Sequence, residues 1–274
     1  MKIRQKYLKK AIFEFGSVFK FLIKNFMKNF LKKSSLFAVL TTLILINYSC
    51  KPTAQSIVDE SIKLHGGKKY DDLSVDFDFR NMHYTLENKK GQYTYTRTQV
   101  DSSGHKIVDV VTNDSFSRNI DGVKIPLSDS MAKKYTNSVN SVAYFFLLPK
   151  PLNDPAVNKE LIGEAKIKGK EYYKIKVRFN KEGGGKDHND VFMYWIEKES
   201  KSMDYFAYSY ETSGGGIRFR EAFNQKTLNG IKFSDYKNYG FEDLKTKLED
   251  LDVLFEQNKI PLKSEIVNLN VNIK

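Results

Sequence analysis

The densest group of chemistry-bearing side chains is Lys186-Asp187-His188-Asn189-Asp190. Carboxylates flanking an imidazole at this spacing can ligate a hard divalent cation or supply one half of an acid/base pair. The run directly follows Gly183-Gly184-Gly185, and a turn asks for the same polar residues. Arg80, Arg97, Arg218 and Arg220 are candidate contacts for a carboxylate or a lipid headgroup. Arginines on solvated strand faces look the same in sequence. His65 closes a helical pattern, where a partly charged imidazole suits the helix dipole. His83 and His105 have no partner nearby in sequence. Beyond residue 50 there is no Gly-x-Ser-x-Gly, His-Glu-x-x-His or phosphate-binding Gly-Lys-Ser/Thr motif. No catalytic residue, metal ligand or cofactor is therefore assigned. A hydrolytic or metal-dependent enzyme built on Asp187, His188 and Asp190 stays open as the alternative.

Cys50 is the single cysteine of the 274 residues, and what precedes it is a targeting pattern. Lys32-Lys33 lead into an apolar run from Leu36 to Ile46, which ends at Ser49-Cys50. A run of eleven residues falls well short of the roughly 20 that a membrane-spanning helix needs. Charged start, short apolar core and small residue at the end describe a cleaved secretory signal. The layout resembles the lipobox of bacterial lipoproteins, which implies cleavage after Ser49 and acylation of Cys50. Met27 to Lys33 suffices as the charged start, so residues 1–26 are expected to be a surplus extension that is not translated. Residues 27–49 are then the signal, 50–53 a lipidated tether and 54–274 one domain.

Charge distribution excludes a nucleic-acid binder. The chain has a formal charge of +12, but the first 49 residues carry ten basic side chains and one acidic one. The remainder is nearly balanced, without the basic footprint such binding needs.

The elements that must position these residues are mostly strands. Ala54, Ile57, Val58, Ser61, Ile62 and His65 keep helical spacing up to the stop at Gly66-Gly67. From Leu73 the period becomes two, with Val75, Phe77 and Phe79 opposite Asp76, Asp78 and Arg80. Turn signals recur at Asn88–Gly91, Asp101–Gly104 and Asn119–Gly122, as in an antiparallel meander. Met131, Tyr135, Val139, Val142 and Phe146 form the apolar stripe of a second helix, ended by Pro149. A second meander follows, in which Val191–Ile196 is apolar on both faces and hence central or covered. Asn229-Gly230 signals a tight hairpin. A helix is expected from Glu242 to Phe255. The last strand is expected to bury Val267, Leu269, Val271 and Ile273 and to expose Asn268, Asn270 and Asn272.

The fold class expected is α+β, mainly β: a strongly twisted antiparallel sheet or open half-barrel with helices on its concave face. This order of elements behind a lipobox resembles the outer-membrane lipoprotein carrier and receptor group, LolA/LolB-like. A closer likeness is to uncharacterised envelope lipoproteins of the Bacteroidota. It is carried by His65-Gly66-Gly67, Phe77–Arg80, Leu148–Val157, Val191–Ile196 and Gly214–Arg220. The resemblance implies a non-enzymatic protein held in the envelope through the Cys50 lipid, at the outer membrane facing the periplasm. It further implies a lipid, acyl chain or other hydrophobic ligand inside the half-barrel. Phe77, Phe79, Ile175, Val177, Trp195, Phe219, Ile231 and Phe233 are the expected cavity lining. An envelope scaffold with a filled core and no ligand is the remaining alternative.

Overall fold

The computed structural model describes residues 51–182, 190–210, 215–242 and 244–274. Cys50 and Ser49, the signal, and Asp187 and His188 lie outside them. The unit from Pro52 to Lys274 is mainly β, with two seven-stranded antiparallel sheets.

The first helix, α1 (Ala54–His65), opens on Thr53, which serves as its N-cap rather than as free tether. The Ser56 amide donates to the Thr53 hydroxyl at 3.1 Å and the Thr53 amide to the Ser56 hydroxyl at 3.0 Å. Two otherwise orphaned amides are thereby satisfied. Gly66 stops the helix at φ +153°, and a Cβ there would meet Ile231 and Tyr70 at 3.1 Å. Only glycine fits both conditions.

Sheet one comprises β1 (Ser74–Phe79), β2 (Met82–Lys89), β3 (Gln92–Val100), β4 (Lys106–Thr112), β5 (Phe116–Ile120) and β6 (Val123–Lys124). The chain then enters α2 (Asp129–Phe146), returns through a 3-10 turn, and builds sheet two. That sheet holds β7 (Val157–Ile167), β8 (Lys170–Phe179), β9 (Phe192–Glu197), β10 (Met203–Tyr210), β11 (Gly216–Leu228) and β12 (Ile231–Phe241). Finally β13 (Leu262–Ile266) adds to β12, and β14 (Asn268–Ile273) crosses to pair with β1.

The helices α1 and α2 pack on the inner faces. From α1, Ile57, Val58 and Ile62 join Ile175, Val177, Tyr194 and Phe206 of sheet two. From α2, Ala143 and Phe146 meet Val75, Phe77 and Tyr84 of sheet one together with Ile231 and Phe233. Phe146 stacks on Phe77 with ring centroids 3.8 Å apart. The β9 strand is buried on both sides, as its composition demands. Phe192, Tyr194 and Ile196 face α1, whereas Met193 and Trp195 face the opposite way.

Two expectations fail for identifiable reasons. The helix expected over Glu242–Phe255 is only a 3-10 turn (Leu248–Asp250) followed by α3 (Leu251–Glu256). Its Leu248, Leu251 and Phe255 cover the outer face of sheet two, so helices lie on both sides of that sheet. Lys174 of β8 reaches Asp252 at 2.9 Å, and Lys176 reaches Glu249 at 2.5 Å. Outward lysines thus pin the short element that hides the apolar residues between them. In β14, Asn270 takes a left-handed φ of +52° and the register against β1 slips between Asp76 and Asp78. Asn268 is thereby buried and donates its backbone amide to the Asp235 carboxylate at 2.9 Å, while Leu269 is 56% exposed.

Under α2, sheet one buries a row of charge. Across successive strands Phe77 faces Tyr84, Tyr84 faces Arg97, Arg97 faces Asp109, and Asp109 faces Arg118. Asp109 is 0% exposed. Arg97 grips its Oδ2 at 2.6 Å, and Arg118 grips Oδ1 at 2.6 Å. From α2, Ser138 accepts from Arg97 at 2.8 Å and the Tyr135 ring lies 3.4 Å from the Arg118 guanidinium.

Removing one member of a buried ionic group strands the others and costs about 3–5 kcal/mol. Asp109→Asn should lower the free energy of unfolding by that amount, read as a lower denaturant midpoint at unchanged m. Lys198→Ala, at a surface pair with Glu164 and Glu171, should cost less than about 1 kcal/mol. Equal losses would mean that the row is not structural.

His65 ends α1 as expected but is buried, and burial pushes its imidazole down to about 4. It sits neutral, its Nδ1 bonded to the Ser61 carbonyl at 2.8 Å. The helix-dipole role for a charged imidazole is therefore lost. Below the ordinary histidine value of 6.5 the unfolded chain takes up a proton that the folded chain refuses until about 4. Stability should then fall as pH drops through that window, by up to about 1.4 kcal/mol per pH unit from this group. Imidazole NMR should show His65 neutral where His105, raised by Asp121, is already charged.

Candidate functional site

A cleft of about 1680 Å³ opens between the two sheets beside α2. Its walls come from the β2–β3 end of sheet one, the middle of α2, the segment Leu147–Val157, and the ends of β8 and β9. The Leu148–Val157 stretch singled out in the sequence thus becomes one wall.

The inner part is aromatic. Tyr144, Phe145, Phe179 and Phe192 line it, with the Tyr144 ring edge-on to Phe145 at 5.5 Å and to Phe179 at 6.2 Å. Edge-to-face and offset contacts of this kind hold rings in fixed orientations. The Tyr144 hydroxyl meets that of Tyr194 at 2.8 Å, and burial raises both phenols. On the opposite wall Tyr93 and Tyr95 stack at 4.6 Å. Asn113 holds the β2–β3 turn beside them: it accepts from the Tyr93 amide at 2.8 Å and donates to the Gly91 carbonyl at 3.1 Å.

The mouth is polar. Lys150 pairs with Asp71 at 3.2 Å. Asp154 is exposed, yet its carboxyl lies above the usual carboxylate range. The surrounding walls remove water from around its charge, and Lys150 and Lys159 offset this only in part. Asn140 lines the cleft with a buried Oδ1 that has no partner.

None of the eight residues expected to line a cavity lies on this cleft. Phe77, Phe79, Ile231 and Phe233 belong to the packing under α2. Ile175 and Val177 pack against α1. Trp195 and Phe219 sit on the outer face of sheet two beneath α3, edge-on at 5.3 Å. A strand buried on both faces gives half its side chains to the side away from the cleft, and periodicity does not say which half.

The arginines are likewise elsewhere. Arg97 belongs to the buried charge row. Arg80 is exposed at the β1–β2 turn, 5.1 Å from the Phe79 ring. Arg218 is held by the Tyr210 hydroxyl at 2.5 Å, with Glu242 at 3.4 Å. Arg220 bonds the Tyr208 hydroxyl at 2.7 Å and lies over the Phe145 ring at 4.6 Å, on β11 beside Arg218. Among the described residues no group of three or more His, Cys, Asp or Glu could hold a metal ion. No helix among them is long and apolar enough to cross a membrane.

A protein-family model matches residues 32–268, and its description is a family of unknown function, DUF6503. The chain belongs to DUF6503. The match takes in the apolar run and Cys50. No curated protein matches the chain. Among solved structures, it is similar to a LolA superfamily protein from Nitrosomonas europaea at 12% identity and a TM-score of 0.45. That alignment covers 81% of this chain and 92% of the other. An outer membrane lipoprotein-sorting protein domain, so assigned in Vibrio parahaemolyticus, aligns at 7% identity and TM-score 0.40, covering 81% and 93%. The Mycobacterium tuberculosis lipoprotein LppX aligns at 12% and 0.25, covering 60% and 92%.

Tyr144→Phe should leave the cleft's shape intact but strand the buried Tyr194 hydroxyl. The cost should be about 1–3 kcal/mol in chemical denaturation. Tyr194→Phe in the same background should recover part of it.

Proposed function

We propose that this DUF6503 protein is an envelope lipoprotein that binds an amphipathic, lipid-like ligand in the cleft beside α2 and catalyses no reaction. The observation that carries the reading is the lining: aromatic rings inside, amides and ionised groups at the mouth, in one opening between two sheets. Its volume of about 1680 Å³ exceeds the roughly 300–1,000 Å³ of small-molecule pockets. An acyl chain fits such a space with its head at the polar rim. His65, His83 and His105 are all outside the lining, so the usual general base has no place there among the described residues. Cys50 supplies the anchor in this reading, supported by its position at the end of the apolar run. The ligand's tail would enter past Phe179 and Phe192 and its head would remain near Asp154.

The test uses membranes from cells producing the full-length chain and a fatty acid bearing a diazirine in its tail. Irradiation should label peptides containing Tyr144–Phe145 or Phe179 in a saturable way. Ala156→Trp, which fills the cleft, should reduce that labelling several-fold without unfolding the protein. Cys50→Ala should move the protein out of the membrane fraction. Labelling spread over outer surfaces and unaffected by Ala156→Trp would overturn the binding reading.

A further inference from the structure

We infer that the cleft selects amphiphiles whose head is uncharged and rich in hydroxyl groups, as in a glycosylated lipid. This rests on the cleft being the ligand site.

Charge supplies the first argument. Among the described residues no arginine lines the cleft, and the two lysines that do, Lys150 and Lys181, are outnumbered by Asp71, Asp154 and Glu182. Lys150 is already engaged by Asp71 at 3.2 Å. A phosphate or carboxylate head would enter a cleft of net negative formal charge. It would find none of the bidentate guanidinium donors that such groups recruit.

The donor and acceptor set supplies the second. Six amide side chains line the cleft: Asn88, Gln92, Asn113, Asn137, Asn140 and Asn180. An amide offers two donors and an acceptor in one plane, and a hydroxyl both gives and takes a hydrogen bond. The two match without any charge being transferred from water. Structural bonds use only part of this set. Asn113 is committed to the β2–β3 turn, and the oxygens of Asn88 and Asn180 accept from Tyr95 at 3.2 Å and from Asn158 at 2.7 Å. The Asn88 and Asn180 NH2 groups, Asn137 and Gln92 remain for a ligand.

Asp154 is the third. It lines the cleft, its side chain makes no ion pair, and an ionised carboxylate only accepts hydrogen bonds. Hydroxyl donors on a head lodged there would satisfy it. A head lodged there displaces water from this exposed carboxylate, and one without donors gives no hydrogen bond in return, which is costly. The Tyr93–Tyr95 stack adds a flat aromatic wall at the same end, against which the apolar face of a sugar ring can lie. A cationic head is the competing occupant, because aromatic faces and a carboxylate also attract quaternary ammonium.

Three photoactivatable probes with the same diazirine-bearing alkyl chain separate these cases: a glucoside, a phosphocholine and a carboxylate. Each is added at equal concentration to membranes holding the full-length protein, and labelling of the Asn140–Val157 region is quantified by peptide mass spectrometry. The glucoside should label it at least about tenfold more than either other probe, equivalent to about 1.4 kcal/mol of preference. Asp154→Asn should lower glucoside labelling several-fold and leave carboxylate labelling unchanged or raised. Equal labelling by all three heads would overturn the selectivity while amphiphile binding itself stood. Preference for the phosphocholine or the carboxylate would overturn it outright. Absence of cleft labelling with every probe would remove the selectivity and the binding reading together.

Discussion

A carboxylate without solvent contact must be answered inside the fold, and Asp109 is answered from both neighbouring strands. Arg97 and Arg118 stand opposite it in register, so the ionic group exists only if β3, β4 and β5 pair in this one alignment. A slip of one residue in any of these strands would turn its own charge to the other face and leave its partner unanswered. The row also fixes what lies above it. Ser138 and Tyr135 of α2 rest on the two guanidiniums, and the next turns of the same helix carry Asn140, Tyr144 and Phe145. One wall of the cleft is therefore set by a charged contact made two turns earlier. Burying ions costs solvation that hydrophobic packing does not, and the return here is a helix fixed in position along the sheet.

Much of the fold was legible because strands with one wet face announce themselves. Val75, Phe77 and Phe79 against Asp76 and Asp78, the doubly apolar β9, and the stripe of α2 from Tyr135 to Phe146 fold as their periods demand, while Met131 in its first turn stays exposed. The charge row escaped because Arg97, Asp109 and Arg118 look locally like solvent-facing residues. Hairpin register held the missing signal: the tight turn at Asp101–Gly104 places position 97 opposite 109, and the turn at Asn113-Asp114 places 109 opposite 118. The short α3 and the exposed Leu269 escaped for other reasons. Covering the outer face of sheet two needs only three apolar residues, and one left-handed Asn270 shifts the alternation of β14. The cleft was unreadable because it lies where elements end. Asparagines and prolines there look like loop residues, and side-chain alternation describes packed faces, not the space between them.

Cleft and cores divide the aromatic residues in a way that composition does not foretell. Most rings fill the three packed clusters, while a minority on α2, β8 and β9 face the opening. The arginines follow the same division: Arg80, Arg97, Arg118, Arg218 and Arg220 are each engaged by a carboxylate, a phenol or a ring away from the cleft lining. What is left at the mouth is a weakly acidic, amide-rich rim around an aromatic interior. Belonging to DUF6503 assigns no activity, so the reading stands on this arrangement alone.

The last strands have a consequence of a different kind. β14 pairs with β1 across almost the whole described chain, with Ile273 opposite Val75 and Asn268 opposite Phe79. Closing so long a loop costs entropy before any contact repays it, and such topologies fold slowly. The first strand thus keeps an unpaired edge until β14 has been synthesised. β13 and β14, on either side of Val267, are also where the chain passes from one sheet to the other. A chain cut short before β14 would carry both sheets with the seam between them open.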